Sequence, residues 1–383
     1  VLRKRLGRAI RDGHPWLYAD ALDIPAGLTT GSIVDVVDPG GRVLGRGIYD
    51  AESPLAVRIW TLGNEALDEA LVHARVAAAL ALRQAVIDPM ETTAYRLLHG
   101  EGDLLPGIVC DVYGDTAVVQ LDTPAVAEWL DTLVAAIHGQ LPGIRRVLWK
   151  SGRRGAGVPS LRALVGEVPS KPLLVREHGM QLEVDVAQGH KTGLYLDQRE
   201  NRQRVRALAA GRSVLNLCCY TGGFSVAAAL GGAARTVNVD SAAPALAAAA
   251  RNFAHNDIRL APHTFTQADV FDYLAAGRET FDLVVLDPPS LAASRDALPG
   301  ALAAYTRLNT LALAHLAPNG LLLTCSCSSH VTEAQLVDVV AAAGRANGRS
   351  VRLAGVYGAG PDHPTLAAFP EGHYLKAVLA FVP

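Results

Sequence analysis

Two short stretches carry the side chains best suited to chemistry. One is Thr324-Cys325-Ser326-Cys327-Ser328-Ser329-His330, where two thiols close an apolar run. The other is Leu283-Val284-Val285-Leu286-Asp287-Pro288-Pro289-Ser290, an apolar run ending on a carboxylate followed by two prolines. Proline fixes its own φ and drives the preceding residue to extended backbone, so Asp287 is held just beyond its strand. A thiol near a fixed carboxylate suits addition–elimination at a pyrimidine. Carbon C5 of that ring is too weak a nucleophile to take a methyl group directly. A thiolate adding at C6 makes C5 enamine-like; after methylation a base removes the C5 proton and the thiol is expelled. Asp287 can meet the N3/N4 edge of such a ring. On the residues alone either Cys325 or Cys327 can be the nucleophile, because strand alternation puts both on one face. The competing reading is two small buried hydrophobes, the usual fate of free cysteine. His330 reads as a loop residue.

A methyl donor must bind nearby. Val214-Leu-Asn-Leu-Cys-Cys-Tyr-Thr-Gly-Gly-Phe-Ser225 reads as a buried strand, a glycine turn and a helix start. Gly222 and Gly223 would let backbone approach a ligand, and the helix N-terminus would face it. The next strand ends in Asp240, 18 residues after Gly222, near the spacing at which an acid meets a ribose hydroxyl. Asp269 follows a third strand and is placed to accept from an adenine amino group; a helix cap is its alternative. The candidate cofactor residues are therefore Cys218, Tyr220, Thr221, Gly222, Gly223, Asp240 with its neighbour Ser241, Asp269 with its neighbour Val270, and Asp287. Nicotinamide dinucleotides share this layout, but the three-glycine G-x-G-x-x-G turn that accommodates pyrophosphate is absent. S-adenosylmethionine needs no such turn.

These groups require a scaffold. From Leu174–Val186, a hairpin-like segment, strands and helices alternate: strand Ser213–Leu217, helix Gly223–Leu230, strand Thr236–Val239, helix Ala243–His255, strand Asp282–Leu286, helix Leu298–Leu316, strand Gly320–Cys325. That order predicts an α/β, Rossmann-like, doubly wound parallel sheet with ligands at its carboxyl edge. Residues 1–70 read as β-rich, with runs at Ser32–Val37 and Arg42–Tyr49. Ala66–Val86 is spaced as a helix. Residues 90–174 read as a small α+β unit: strands Tyr95–Leu98, Ile108–Tyr113, Thr116–Leu121 and Arg146–Lys150, a helix Ala125–Ile137, and a Gly/Arg-rich loop Ser151–Pro159.

Composition sets outer limits. A chain of 383 residues is too long for one compact domain, and 50% hydrophobic with 19% charged residues excludes a disordered chain. A net charge of −2 argues against a coat on nucleic acid but leaves room for local basic faces. Three clusters can supply them: Arg3, Lys4, Arg5, Arg8 and Arg11; Arg145, Arg146, Lys150, Arg153 and Arg154; Arg199, Arg202, Arg204 and Arg206. Solvated surface is the plainer reading of each. Five cysteines without a C-x-x-C pair argue against zinc and suggest reduced thiols in the cytoplasm. No apolar signal core follows the basic N-terminus. The longest uncharged run, Ser213–Ala234, is broken by polar residues and glycines, so no membrane span is expected.

Taken together, these residues resemble the bacterial large-subunit ribosomal RNA cytosine-5 methyltransferases with an N-terminal PUA domain, over nearly the whole chain. His14-Pro-Trp-Leu-Tyr18 looks like the start of the PUA domain. Lys191-Thr-Gly-Leu-Tyr-Leu-Asp-Gln-Arg-Glu-Asn-Arg202 resembles the long family signature and is the most specific match. Tyr220-Thr-Gly-Gly-Phe224, Ser326-Cys-Ser328, Asp362-His-Pro364 and Glu371-Gly-His-Tyr-Leu-Lys376 resemble the remaining motifs. The resemblance implies a class I methyltransferase domain over 175–383, preceded by a PUA-like domain over 1–70 and a central α+β domain over 71–174. It implies that Gln198, Arg199 and Arg202 line the S-adenosylmethionine pocket and that Cys327, not Cys325, is the nucleophile. The implied product is 5-methylcytosine, with 23S rRNA as partner; a homodimer is a candidate assembly. The chain departs from the pattern at Asn216, where many relatives of the wider fold carry Asp, at Ser290, and at Ser329-His330. Two other readings share the scaffold: a methyltransferase for another RNA or a small molecule, and an RNA-binding assembly protein without catalysis.

Overall fold

The computed structural model describes residues 1–151, 160–292 and 294–383. Arg153, Arg154 and all but the first residue of the loop expected at 151–159 lie outside the described residues. The chain divides into two compact units. The first comprises Val1–Val175, Val184–Leu196 and Pro361–Gly372; the second comprises Arg176–Glu183, Asp197–Gly360 and His373–Pro383.

The first unit holds two sheets. After the short helix α1 (Gly7–Arg11), strands β1 (Trp16–Tyr18), β2 (Ile33–Val37), β3 (Val43–Tyr49) and β4 (Leu55–Leu62) form an antiparallel sheet in the order β1-β4-β3-β2. Gly47 is required there, because a Cβ would lie 2.3 Å from the Arg58 carbonyl oxygen. Helix α2 (Glu69–Val86) begins where Asp68 accepts from the Leu71 amide at 2.9 Å, an N-cap that the apolar spacing did not reveal. A second sheet follows: β5 (Ala94–His99), β6 (Ile108–Tyr113), β7 (Thr116–Leu121), β8 (Arg146–Ser151) and β9 (Ser160–Val165), paired in chain order. The helix expected over Ala125–Ile137 is split into a 3-10 turn, Pro124–Trp129, and helix α3 (Leu130–Gln140). Val72 and Val76 of α2 and Leu133 and Ile137 of α3 pack on Leu98, Ile108 and Val119, and Ile48 and Trp60 join the same core.

Asp362, from the Asp-His-Pro motif, is structural in this unit. Its carboxylate accepts from the Arg96 amide at 2.9 Å, and its carbonyl from the Arg83 guanidinium at 2.7 Å. Arg83 and Arg96 also hold Asp103 and Asp111. Buried charge is tolerated here because every member of the network has a partner.

The hairpin β10 (Leu173–Glu177) and β11 (Met180–Val184) precedes the seven-stranded sheet of the second unit. That sheet contains β12 (Ser213–Leu217), β13 (Arg235–Asp240), β14 (Thr264–Gln267), β15 (Phe281–Leu286), β16 (Leu316–Ser326), β17 (Arg352–Tyr357) and β18 (Lys376–Val382). Their order is β14-β13-β12-β15-β16-β18-β17. Its helices are α4 (Arg199–Leu208), α5 (Gly223–Leu230), α6 (Ala243–His255), α7 (Val270–Ala276), α8 (Leu298–Ala314) and α9 (Glu333–Ala346). The alternation expected from the sequence is present, and Ser213–Leu217, Gly223–Leu230 and Ala243–His255 have the expected bounds. The strands expected from the sequence run parallel to one another; β18, outside that expectation, runs antiparallel to both β16 and β17. Lys-Ala-Val-Leu-Ala-Phe-Val is an apolar run buried on both faces, and such a run does not encode direction.

Strand alternation builds a core on each face. Leu215, Leu217, Val284, Leu286 and Leu322 pack with Tyr305 and Leu308 of α8 and Leu336 and Val340 of α9. Val214, Leu283, Val285, Leu323 and Cys325 face the other way, against Val205 of α4 and Phe224 of α5. Cys325 is thus part of an apolar layer.

Candidate active site

Strands β12, β13, β15 and β16 are mutually parallel, so their carboxyl ends share one edge. The turn after β12 is tightly wound. Cys218, Tyr220 and Gly222 have φ of 56°, 49° and 75°. For the two non-glycine residues a left-handed conformation costs about 1–2 kcal/mol each, and the surroundings hold it. The Cys219 amide donates to the Val239 carbonyl at 3.0 Å, and the Gly222 amide to the Cys219 carbonyl at 2.8 Å. The Tyr220 amide donates to Asp240 Oδ2 at 2.8 Å, while Asp240 Oδ1 takes the Ala242 amide at 2.9 Å. Each carboxylate oxygen has a further lone pair to offer.

The glycines are also required by packing. A Cβ on Gly222 would lie 2.8 Å from the Cβ of Ala249 on α6, and one on Gly223 would lie 3.0 Å from Arg202 Cδ. Asn252 of α6 fastens the turn by donating to the Thr221 carbonyl at 2.8 Å.

Asp269 takes the role of a helix cap: its Oδ1 accepts from the Phe271 and Asp272 amides at 2.8 and 3.3 Å. Ser241 is exposed and its carbonyl accepts from Gln267, while Val270 leans on the sheet core. Three acids nonetheless converge. The Cys218 thiol is pushed up to about 12 by burial and by the charges of Asp287, Asp240 and Asp269. The ends of β13, β14 and β15 therefore bring three carboxylates around one turn. Such a site suits a ligand carrying hydroxyls, an amine and positive charge, and opposes a pyrophosphate. S-adenosylmethionine, with its ribose, adenine amine, ammonium and sulfonium, fits this donor set. At the base of the turn Asn216 is fully buried and donates to Ser225 Oγ at 2.9 Å.

The basic cluster on α4 is not a solvated face. Arg199 and Arg202 are buried. Arg202 grips the fully buried Glu177 through Nε and Nη2 at 2.6 and 2.5 Å. Arg199 Nε donates to Glu200 at 3.1 Å. Hydrogen bonding from His178, with help from Arg199, holds the Glu200 carboxyl down at about 2. Arg204 stacks 3.9 Å over the Tyr357 ring. Gln198, also buried, accepts from Asn201 at 2.6 Å and reaches the Cys325 thiol. By contrast, Arg3, Lys4, Arg5, Arg8 and Arg11 are exposed, as the plainer reading had it.

The two cysteines differ sharply. Cys325 is fully buried, and burial, reinforced by Asp287, pushes its thiol well above the ordinary value. Cys327, beyond the end of β16, is partly exposed. Tyr305, fully buried on α8, ties the two chemical stretches together. Ser326 Oγ donates to its hydroxyl at 3.0 Å, the Leu291 backbone bonds the same oxygen, and both Cys327 and Asp287 lie within electrostatic reach. Ser328 completes the loop by donating to the Ala292 carbonyl at 3.0 Å.

Two residues here escaped sequence reasoning. Tyr305 sits in an Ala/Leu-rich helix and carries no motif. Lys376 was part of a quoted motif but had no role. It is buried, and its Nζ donates to the carbonyls of Ser328 and Tyr374 at 2.6 and 2.9 Å. Tyr374 in turn donates to Asp197 at 2.8 Å. Among the described residues no cluster of three or more His, Cys, Asp or Glu side chains is placed to hold a metal, and no helix is long and apolar enough to cross a membrane.

The strand order, the acidic strand ends and the winding turn define a class I S-adenosylmethionine-dependent methyltransferase. Two family models agree: S-adenosylmethionine-dependent methyltransferase over residues 153–366, and PUA-like domain over residues 1–62. A "Ribosomal RNA large subunit methyltransferase I" of Shewanella denitrificans is 40% identical, over 98% of this chain and 97% of its own length. A "Ribosomal RNA large subunit methyltransferase" of Deinococcus radiodurans is also 40% identical, over 98% and 96%. A solved methyltransferase structure in complex with SAH superposes with a TM-score of 0.87 at 25% identity, covering 98% of this chain and 97% of that one. The chain belongs to the ribosomal RNA large subunit methyltransferase I family.

Proposed function

We propose that this chain methylates C5 of a cytosine in large-subunit (23S) ribosomal RNA, with Cys327 adding to C6. The observation that carries the reading is the grouping of a partly exposed thiol, Cys327, with Asp287 and the acid-lined turn at one sheet edge. S-adenosylmethionine supplies an electrophilic methyl group there. Asp240 is assigned to the ribose hydroxyls, Asp269 to the adenine amine through its second oxygen, and Gln198, Arg199 and Arg202 to the wall of the pocket. Asp287 accepts from the exocyclic amine of the base. Cys325 is set aside as nucleophile because its sulfur lies in an apolar layer that opposes ionisation.

In this reading the chain comprises a PUA-like domain over 1–70, a central domain over 71–174 and the methyltransferase domain over 175–383. The first two hold structured RNA through phosphate and shape contacts, with the exposed Arg5, Arg8 and Arg11 as candidates. The target base is unstacked into the site. Five free cysteines fit a reducing compartment such as the cytoplasm. RNA carrying 5-fluorocytidine tests the chemistry, because fluorine at C5 cannot leave as a cation and the adduct persists. The expected result is a covalent adduct that maps to Cys327. Absence of an adduct with an RNA that the enzyme otherwise methylates refutes the addition step.

A further inference from the structure

Lys376 opens β18 and pairs across the antiparallel ladder with Ser326, the residue before Cys327. Its ammonium donates to the carbonyl of Ser328, the residue after Cys327, and to that of Tyr374. The lysine therefore spans the nucleophile's position and is anchored on both sides. Its side chain is buried, and both hydrogen-bond partners are neutral carbonyls, so these bonds fix the charge without cancelling it. We propose that Lys376 supplies the positive charge that keeps the Cys327 sulfur in its thiolate form. It is a positioning residue, acting through that sulfur and not on the RNA.

Among the described groups that Cys327 acts on are Lys376 of β18, Tyr305 of α8 and Cys325 of its own strand; Asp287, after β15, acts on the last two. Of these Lys376 is the cation. Cys327 is partly buried, and burial disfavours a negative sulfur, so a thiolate here needs an opposing charge. Burial also brings the ammonium down to about 8, while the Cys327 sulfur acts on it in the opposite sense, so lysine and thiol are electrostatically coupled. In the reaction the thiolate's electron pair forms the S–C6 bond, and the displaced ring electrons take the methyl group at C5. S-adenosylhomocysteine is left as the other product, and a base takes the C5 proton, which breaks the S–C6 bond and returns the pair to sulfur. The thiolate is regenerated, and the ammonium stays protonated throughout.

The inference rests on Cys327 as nucleophile, and its test can be read separately. The rate of Cys327 alkylation by iodoacetamide is followed against pH by peptide mass spectrometry in the full chain and in Lys376→Arg and Lys376→Gln. Gln can still donate to one carbonyl but carries no charge. The expected wild-type midpoint lies below the ordinary thiol value of about 8.5. Arg preserves it, and Gln moves it up by at least about one pH unit, a tenfold loss of thiolate near neutrality. An unshifted Gln variant that still binds SAH overturns the proposal. So does a wild-type midpoint at or above the ordinary thiol value, which needs no variant to fold. The 5-fluorocytidine adduct reports on the nucleophile independently: an adduct with an unshifted midpoint sinks only Lys376, and a shifted midpoint without an adduct sinks only the addition chemistry.

Discussion

Replacing Arg202 by Met leaves the Glu177 carboxylate buried with its main partner gone. Both side chains are almost fully enclosed, at 4% and 0% exposure, and the pair is bidentate. Removing one member of such a pair costs about 3–5 kcal/mol, because the survivor keeps its desolvation penalty without its compensation. At about 2–4 °C per kcal/mol for a unit of this size, Tm should fall by about 6–20 °C. The double variant Arg202→Met/Glu177→Leu removes both charges and should recover most of that loss, since a buried pair often contributes little net stability over apolar residues of similar volume. Calorimetry on the single and double variants measures this, and titration with S-adenosylhomocysteine separates a second role. If Arg202 also lines the pocket, the double variant is stable yet binds the ligand more weakly. A double variant as unstable as the single one would refute the reasoning. The Tm loss would then come from packing against Gly223 and Phe224, not from a stranded charge.

Three further outcomes follow from the geometry. Cys327→Ala should abolish the RNA adduct and turnover, whereas Cys325→Ala should retain both and lose about 1 kcal/mol to a small cavity, as read by single-turnover assays and thermal melts. Tyr305→Phe removes the hydroxyl that takes the Ser326 proton. Stranding that buried donor costs about 1–3 kcal/mol, and kcat should fall while the affinity for S-adenosylmethionine holds, because the residue touches the Asp287 and Cys327 loops and not the turn after β12. Glu200 is held at about 2 in the folded chain, below its ordinary 4.5. A depressed carboxylate contributes stability that is fully present above about 4.5 and is lost as pH falls toward 2. Glu200→Gln should therefore flatten the fall in Tm across that window, and an unchanged slope would exclude the His178–Glu200 contact as its source.

Much of the second unit was legible because its signals are local. Apolar runs bounded by glycine, proline or acid fix β12, α5 and α6 within the chain segments that contain them. The carboxyl-edge rule then collects Cys218, Asp240, Asp269, Asp287 and Cys327 without any knowledge of contacts. What stayed hidden depends on partners distant in sequence. The direction of β18 is set by its pairing with β16 and β17, which an apolar heptad does not state. The resemblance took Arg202 out of the solvated cluster, but its partner Glu177, 25 residues earlier, could not be read from spacing. Gly222 read as room for a ligand, and its close packing on Ala249 was not foreseen. Tyr305 and Lys376 matter through which distant groups they reach, Ser326 Oγ for one and the Ser328 carbonyl for the other, and neither has a residue-type signature for that.

The distribution of charge explains why one edge can serve two ligands of opposite character. The turn after β12 is surrounded by carboxylates, which favour a cationic donor and add to burial in raising the thiol of Cys218. A thiolate placed in that same field would be suppressed, as it is at Cys325 by burial first and by Asp287 second. The scaffold separates the two demands by strand direction. The parallel strands deliver the acids. The antiparallel β18, entering between β16 and β17, delivers a lysine to the end of β16, next to Cys327. A wholly parallel sheet would not begin a strand at that edge, so the strand that breaks the parallel pattern is also the one that can bring a cation to Cys327.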